Sequence, residues 1–184
     1  MVQLEVELKR GIDDTSVQAY LVDLKLKHAE DFENLWKNIL IEFEQEDKFW
    51  DWKFKLRYAA NNSNIEAYAI ECENETQGLM QIETQLHGSQ IERGQRLVYI
   101  DGLFSAPLNR IEIQNPPRFR NVGTILLEFA RIRSVYFGYK GRVGLHSLPE
   151  AVGFYNKQNM YNLGEDEDYE NLVYFEHGIL RNAL

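Results

Sequence analysis

Residues 116–130 read Pro-Pro-Arg-Phe-Arg-Asn-Val-Gly-Thr-Ile-Leu-Leu-Glu-Phe-Ala, and this stretch decides the reading of the chain. A polar loop with two prolines and two arginines passes through Asn121 and Gly123 into an apolar run. Val122, Ile125, Leu126, Phe129 and Tyr136 recur with a helical period, and Gly138 stands where a helix end takes a glycine. A helix N-terminus leaves backbone N–H groups without intrahelical partners, and its dipole favours negative charge. Flanking arginines and a glycine that lets backbone approach a ligand make such a turn suitable for a pyrophosphate. Spacing alone fits equally well an ordinary strand–loop–helix with surface arginines. The stretch lacks the Gly-Lys-Ser/Thr ending of a P-loop and the G-x-G-x-x-G of a dinucleotide-binding turn.

Working outward, the N-terminal third is helical in pattern. Phe32, Leu35, Trp36, Ile39, Leu40 and Phe43 form one apolar stripe, which predicts a helix over 29–46. Residues 49–58 read as a second helix or a strand, with the helix favoured. The period then falls to two, which predicts strands over 65–72 and 79–84 joined by a polar turn. A third strand covers 96–106, with Leu97, Tyr99, Asp101, Leu103 and Ser105 on one face. Residues 109–120 form a long loop. After the helix at 122–136 come a strand at 142–147, a helix at 150–158 and a strand at 171–176. The predicted order is ααβββ, loop, αβαβ, a mixed α/β fold.

Two motifs then carry a resemblance. Arg118-x-x-Asn121-x-Gly123, followed by Thr124-Ile125-Leu126-Leu127, is similar to motif A of the GNAT (GCN5-related) N-acetyltransferases, Q/R-x-x-G-x-G/A. About 30 residues on, Ala151-x-x-Phe154-Tyr155-x-Lys157 resembles the core of their motif B. The motifs lie within 97–160, and the resemblance covers roughly 60–178. It implies a GNAT fold: a mixed, mostly antiparallel central sheet that splays between two parallel strands, flanked by helices. It also implies one domain over 1–184, with acceptor-side helices at about 15–58. Asn121 replaces the first motif A glycine, but asparagine tolerates left-handed backbone. Leu148 stands where motif B often has asparagine, and Asn159-Met160 replaces Gly-Phe. The loop between Pro107 and Arg118 is longer than usual for the family.

What the resemblance implies for chemistry is transfer of an acetyl group from acetyl-CoA to a primary amine, by direct attack and with no metal. The donor's pantetheine arm would lie along the end of the third strand, at Leu103, Phe104 and Ser105, where one backbone N–H polarises the thioester carbonyl. Arg118, Phe119, Arg120, Asn121, Val122, Gly123 and Thr124 would hold the pyrophosphate, and Asn156 would contact the cofactor. Tyr155 matches the family tyrosine that protonates the leaving thiolate. Asp101 is the candidate base, on the expectation that partial burial raises its pKa. His146 is its rival, and Glu71 and Glu83 are weaker candidates. Trp36, Trp50 and Trp52 read as packing residues or as a wall of the acceptor pocket.

Composition bounds the alternatives. The chain has 184 residues, a net charge of −9 and one cysteine, Cys72. That excludes an intrachain disulfide and a cysteine-based zinc site. The acidic balance argues against nucleic acid as a partner. No apolar run reaches the ~20 residues of a membrane helix, and the charged N-terminus is unlike a signal peptide, so a cytoplasmic location is the expectation. The acceptor would be a small-molecule or peptide amine, and a homodimer is allowed. The acidic cluster at 165–170 reads as a solvated loop. A non-catalytic GNAT-like module that binds CoA or a protein partner is the competing class of function.

Overall fold

In the computed structural model, residues 2–179 are described. Nine strands hydrogen-bond in the order β6-β1-β2-β3-β4-β5-β7-β9-β8, as one open, mostly antiparallel sheet with a single parallel pair, β5/β7. The strands are β1 (Gln3–Arg10), β2 (Ser16–Asp23), β3 (Ile65–Cys72), β4 (Glu75–Glu83), β5 (Val98–Ser105), β6 (Phe119–Arg120), β7 (Val143–Ser147), β8 (Tyr161–Asp166) and β9 (Leu172–His177). Helices α1 (Leu26–Asp31), α2 (Lys37–Glu42), α3 (Trp52–Asn61), α4 (Val122–Tyr136) and α5 (Val152–Lys157) complete the fold. Packing divides the chain into two compact units, Met1–Gln81 with Gly102–Leu126, and Ile82–Asp101 with Leu127–Leu184.

The first unit departs from expectation at its start. Residues 3–23, for which no strand was predicted, form the antiparallel hairpin β1/β2, and β2 pairs on to β3. The alternation of Leu4, Val6 and Leu8 with Glu5, Glu7 and Lys9 carries the strand period, and Leu8 faces inward. The predicted helix at 29–46 is two helices, α1 and α2, joined by a π-helical turn, Phe32–Trp36. Phe32, Trp36 and Leu40 are buried at four-residue spacing, whereas Leu35 and Phe43 of the expected stripe are exposed. The π turn adds a residue to one turn, so the i+3 positions rotate outward. α3 starts at an Asp51 cap, whose Oδ1 accepts from the Phe54 N–H at 2.8 Å.

In the second unit, Val98, Tyr99 and Ile100 of β5 run parallel to Val143, Gly144 and Leu145 of β7. β9 pairs with β7 in antiparallel fashion, and β8 with β9. β8 had no sequence signal: it is an exposed edge strand, broken by a register shift between Asn162 and Glu165 where Gly164 has φ 89°. The His177 ring, on β9, is buried and its Nε2 has no hydrogen-bond partner. Burial, and then the Arg131 charge, push its pKa from 6.5 down to about 4. A depressed histidine pKa means that the unfolded chain takes up the proton first, so stability falls as pH drops from about 6.5 towards 4. The wild type should therefore lose roughly 3 kcal/mol more than His177→Gln over that window. Denaturant melts of both at pH 7 and pH 4.5 check this, and parallel losses would contradict it.

Candidate active site

In the first unit, the site is built on the end of β5. Phe104 is wedged edge-on between Trp50, at 4.8 Å, and Trp52, at 5.4 Å. Gly102 is required here, because a Cβ would stand 2.8 Å from the Phe104 ring and 3.1 Å from Trp50. The strand end is fixed by Arg110. Its guanidinium donates to the Ser105 carbonyl from Nε at 3.2 Å and Nη2 at 3.0 Å, and to both oxygens of the buried Asp47 carboxylate. The Ala106 N–H donates to the Gln77 carbonyl at 2.9 Å. The Ser105 carbonyl is thus already engaged, while Leu103 and Ser105 are half-buried on the same face.

The loop after β5 is ordered by one side chain. Asn109 Oδ1 accepts from the Phe119 N–H at 2.9 Å, and Asn109 Nδ2 donates to Gln77 Oε1 at 3.0 Å. The Arg118 N–H donates to the Leu108 carbonyl at 2.7 Å, and its carbonyl accepts from the Gly11 N–H at 3.1 Å. The expected long loop ends early because Phe119 and Arg120 pair with β1 as β6. Asn121 then adopts φ 71°, the left-handed conformation its residue type tolerates, and α4 begins. The first intrahelical bond is Ile125 N–H to Asn121 carbonyl at 2.9 Å, so the N–H groups of Val122, Gly123 and Thr124 precede it at the positive end of the helix dipole.

Neither arginine of this loop stands open. Arg118 donates to Glu73 at 3.0 Å and to Glu75, and Arg120 donates to Asp14 at 2.8 Å and to the Gly11 carbonyl at 3.1 Å. Hydrogen bonds from Arg10 and then Arg118 hold the Glu73 carboxyl below its usual range. Both guanidinium groups of this loop are therefore engaged within the chain.

In the second unit, Tyr155 lies on α5, buried against Phe154 and Phe175 at ring distances of 5.0 and 5.6 Å, and burial raises its phenol pKa. Asn156 beside it is exposed. Asn159, in place of the motif B glycine, has φ 56° and Met160 is buried. At both motif glycines this chain thus substitutes asparagine and keeps left-handed backbone. Asp101 is exposed, which corrects the expectation that it is partly buried: it stands on the open face of β5. Glu83 accepts from the N–H groups of Gln85 and Leu86, and Glu71 pairs with Lys27 and His28.

His146 is the better connected rival. Its Nδ1 lies 2.8 Å from the Tyr99 hydroxyl and its Nε2 lies 3.1 Å from Asp166 Oδ2. Its ring stacks on Tyr169 at 3.8 Å, and His87, held by Glu83 at 2.9 Å, stacks on Tyr99 at 4.0 Å. Asp166 ends β8 and turns inward, so the expected solvated acidic loop contributes one residue to a half-buried cluster. Sequence reasoning missed Tyr99, Asp166 and Tyr169. The alternation along β5 puts Tyr99 on the face of Asp101, but nothing in the sequence ties positions 99, 146 and 166 together. Among the described residues no group of three His, Cys, Asp or Glu could hold a metal ion, and no helix is long and apolar enough to cross a membrane.

No protein-family model matches the chain, and no curated protein matches it in sequence. Solved structures do. A nucleotide-linked sugar GNAT, FdhC, superposes with a TM-score of 0.61 at 11% identity, covering 96% of this chain and 90% of that one. The GNAT domain of Streptomyces lividans PAT gives a TM-score of 0.61 at 12% identity, over 95% of this chain and 96% of that one. The Bacillus subtilis N-acetyltransferase YlbP, solved with coenzyme A, gives 0.55 at 13% identity, over 95% and 96%. With its open, mostly antiparallel sheet, its parallel β5/β7 pair and the helix α4 between those strands, the chain has the GNAT fold.

Proposed function

We propose that the chain is an acetyl-CoA-dependent N-acyltransferase that passes an acetyl group to a primary amine. One observation carries the reading: the left-handed Asn121 turns the chain from β6 into the N-terminus of α4, so that the N–H groups of Val122, Gly123 and Thr124 precede the first intrahelical bond, beside a loop tied down by Asn109. That donor set fits a pyrophosphate. The substrate acetyl-CoA would be held by the backbone of 121–124 at its phosphates and by the end of β5, Leu103 to Ser105, along its pantetheine. A backbone N–H at the thioester carbonyl stabilises the charge that gathers on oxygen as the amine attacks. Holding amine and thioester together supplies much of the remaining acceleration. Tyr155, kept protonated by burial, is the candidate proton donor to the leaving thiolate. The acceptor is a small-molecule amine, in line with the likeness to a nucleotide-linked sugar enzyme and to an aminoglycoside 6′-acetyltransferase.

A second reading, a non-catalytic module, draws support from the pairing of Arg118 with Glu73 and Glu75, because a phosphate must compete for that guanidinium. Gly123→Asp separates the two. A carboxylate in the first turn of α4 repels the pyrophosphate, so affinity for acetyl-CoA should fall at least 100-fold in isothermal titration. Wild-type affinity in that variant would contradict the phosphate-loop assignment.

A further inference from the structure

In the first unit, the guanidinium of Arg110 has no hydrogen left to give. Its Nε and Nη2 donate to the Ser105 carbonyl at 3.2 and 3.0 Å, its Nη1 to Gln45 Oε1 at 3.0 Å and to Asp47 Oδ1 at 2.9 Å, and its Nη2 also to Asp47 Oδ2. Those bonds use every N–H group a guanidinium carries. The acceptors are fixed in turn. Gln45 and Asp47 are buried, the Gln45 N–H donates to the Leu40 carbonyl at 2.8 Å, and the Asp47 carbonyl accepts from the Trp50 N–H at 3.3 Å. A buried ion pair gains little stability over an apolar pair of similar volume, because both charges lose their water. What this pair supplies is direction: a planar fork that holds a carbonyl oxygen and a carboxylate at set angles.

The carbonyl so held lies on one particular edge of β5. The Ala106 N–H donates to the Gln77 carbonyl, and the Phe104 oxygen lies 3.4 Å from where a Cβ on Gly78 would stand, so both face β4. Successive residues of a strand turn their N–H and C=O to alternate edges, so Leu103 and Ser105 turn theirs to the edge away from β4. A carbonyl oxygen has two lone pairs, and Nε and Nη2 of Arg110 fill both at Ser105. Ser105 therefore offers that edge its N–H and not its C=O, whereas Leu103 turns both groups to it. The Leu108 carbonyl accepts from the Arg118 N–H, and Asn109 Oδ1 from the Phe119 N–H, so the turn into α4 stands beside the residues that follow β5. An acyl donor held at its phosphates by 121–124 thus reaches the strand at Ser105 first and carries its sulfur towards Leu103.

We propose that Arg110 is a positioning residue for the acyl donor, and that by covering the Ser105 carbonyl it restricts the pantetheine arm to one register on β5. The inference rests on the acetyltransferase reading. With that carbonyl closed, the arm meets Ser105 only through an amide carbonyl that accepts the Ser105 N–H. In an extended arm the thioester carbonyl lies about 7 Å further on, the span of a pair of strand residues at about 3.3 Å each. That brings it to the Leu103 N–H, which becomes the donor to the oxygen on which charge gathers as the amine attacks. An arm shifted out of this register sets one of its N–H groups against the covered carbonyl and leaves it unpaired. Arg110 acts only through Ser105, since none of its own donors is left for the ligand. Asp47 and Gln45 hold the guanidinium in the plane this requires.

Two measurements on the full-length protein test this. The first is isothermal titration with acetyl-CoA and with adenosine 3′,5′-bisphosphate, the donor's nucleotide part without the pantetheine arm. Arg110→Lys keeps a charge for Asp47, but a single ammonium cannot cover the Ser105 oxygen and both carboxylate oxygens together. It should weaken acetyl-CoA about tenfold, the loss expected when a charged group gives up its hydrogen bonds. The bisphosphate should stay within about twofold of wild type, because it does not reach β5. Equal losses for the two ligands, or unchanged affinity for acetyl-CoA, would overturn the positioning role and leave the acetyltransferase reading standing. The second measurement needs no variant. As acetyl-CoA is added to the wild type, the Leu103 and Ser105 amide protons should move downfield in NMR spectra, while the Ser105 carbonyl carbon and the Arg110 Nε–H hold their shifts. Movement of the Ser105 carbonyl or the Arg110 Nε–H with saturation would overturn the register, whether or not Arg110→Lys folds. A wild type that binds neither ligand would overturn the acetyltransferase reading as well.

Discussion

Gly11→Ala should detach the phosphate loop from its support and weaken acetyl-CoA binding at least tenfold. Gly11 lies at the end of the β1 strand, where its N–H donates to the Arg118 carbonyl at 3.1 Å. A Cβ at this position would stand 1.6 Å from the Pro117 carbonyl oxygen and 2.7 Å from its carbon. Both atoms are backbone, so no rotamer change relieves the overlap, and residues 117–118 must move by more than an ångström. The movement breaks the bond to Arg118 and disturbs the β1/β6 pairing at Arg10 and Phe119, from which Asn121 turns into α4. The cost appears twice, as a lower melting temperature and as lost affinity in isothermal titration. Gly153→Ala is the control, because a methyl there meets nothing within 4 Å. Unchanged affinity in Gly11→Ala would show that the loop does not depend on this contact.

Trp52→Ala should cost about 3–5 kcal/mol, enough to lower the melting temperature of a chain this long by roughly 10 °C. Trp52 is fully buried, meets the Phe104 ring at 88° and belongs to the core that joins α1, α2 and β4 in the first unit. Its loss removes a large apolar area and leaves a cavity that neighbours on separate elements cannot close. Trp52→Phe should cost much less. The Trp52 Nε1 is buried with no hydrogen-bond partner, so the smaller ring removes an unpaired donor along with its volume. Equal losses in the two variants, read from urea midpoints, would contradict this account of the core.

The sequence carried the parts of the fold that are written in local pattern. β3, β5, α4, β7 and β9 stand close to where periodicity put them, whereas β4 starts at Glu75, inside the expected turn, because it is buried on both faces from Thr76 onward and shows no alternation. The same local legibility holds for Asn121, whose tolerance for left-handed backbone is a property of the residue. The missed elements lacked such a signal or had it obscured. β8 is exposed from Tyr161 to Glu165, so no alternation marks it. β1 alternates, but its charges read more readily as a soluble N-terminus than as a strand. The first helix is expected at 29–46 as one unbroken element, whereas the helical run spans 26–42, because period alone does not reveal a π turn. The candidate site was legible where it is local and illegible where it is not. Motif A lies within six residues and motif B within seven, but the partners of Arg118 at 73 and 75, the close approach of Gly11 to Pro117 and the Tyr99–His146–Asp166 contacts each join distant positions. The exposure of Asp101 was illegible for the same reason, since it depends on the fold around it.

The central claim is that the turn into α4 holds the phosphates of acetyl-CoA. The most direct measurement is isothermal titration of the wild-type protein with acetyl-CoA, with CoA and ATP in parallel. The account predicts micromolar binding of acetyl-CoA and CoA and none of ATP, because the end of β5 selects the pantetheine arm that ATP lacks. Absence of acetyl-CoA binding, or equal binding of ATP, would contradict it.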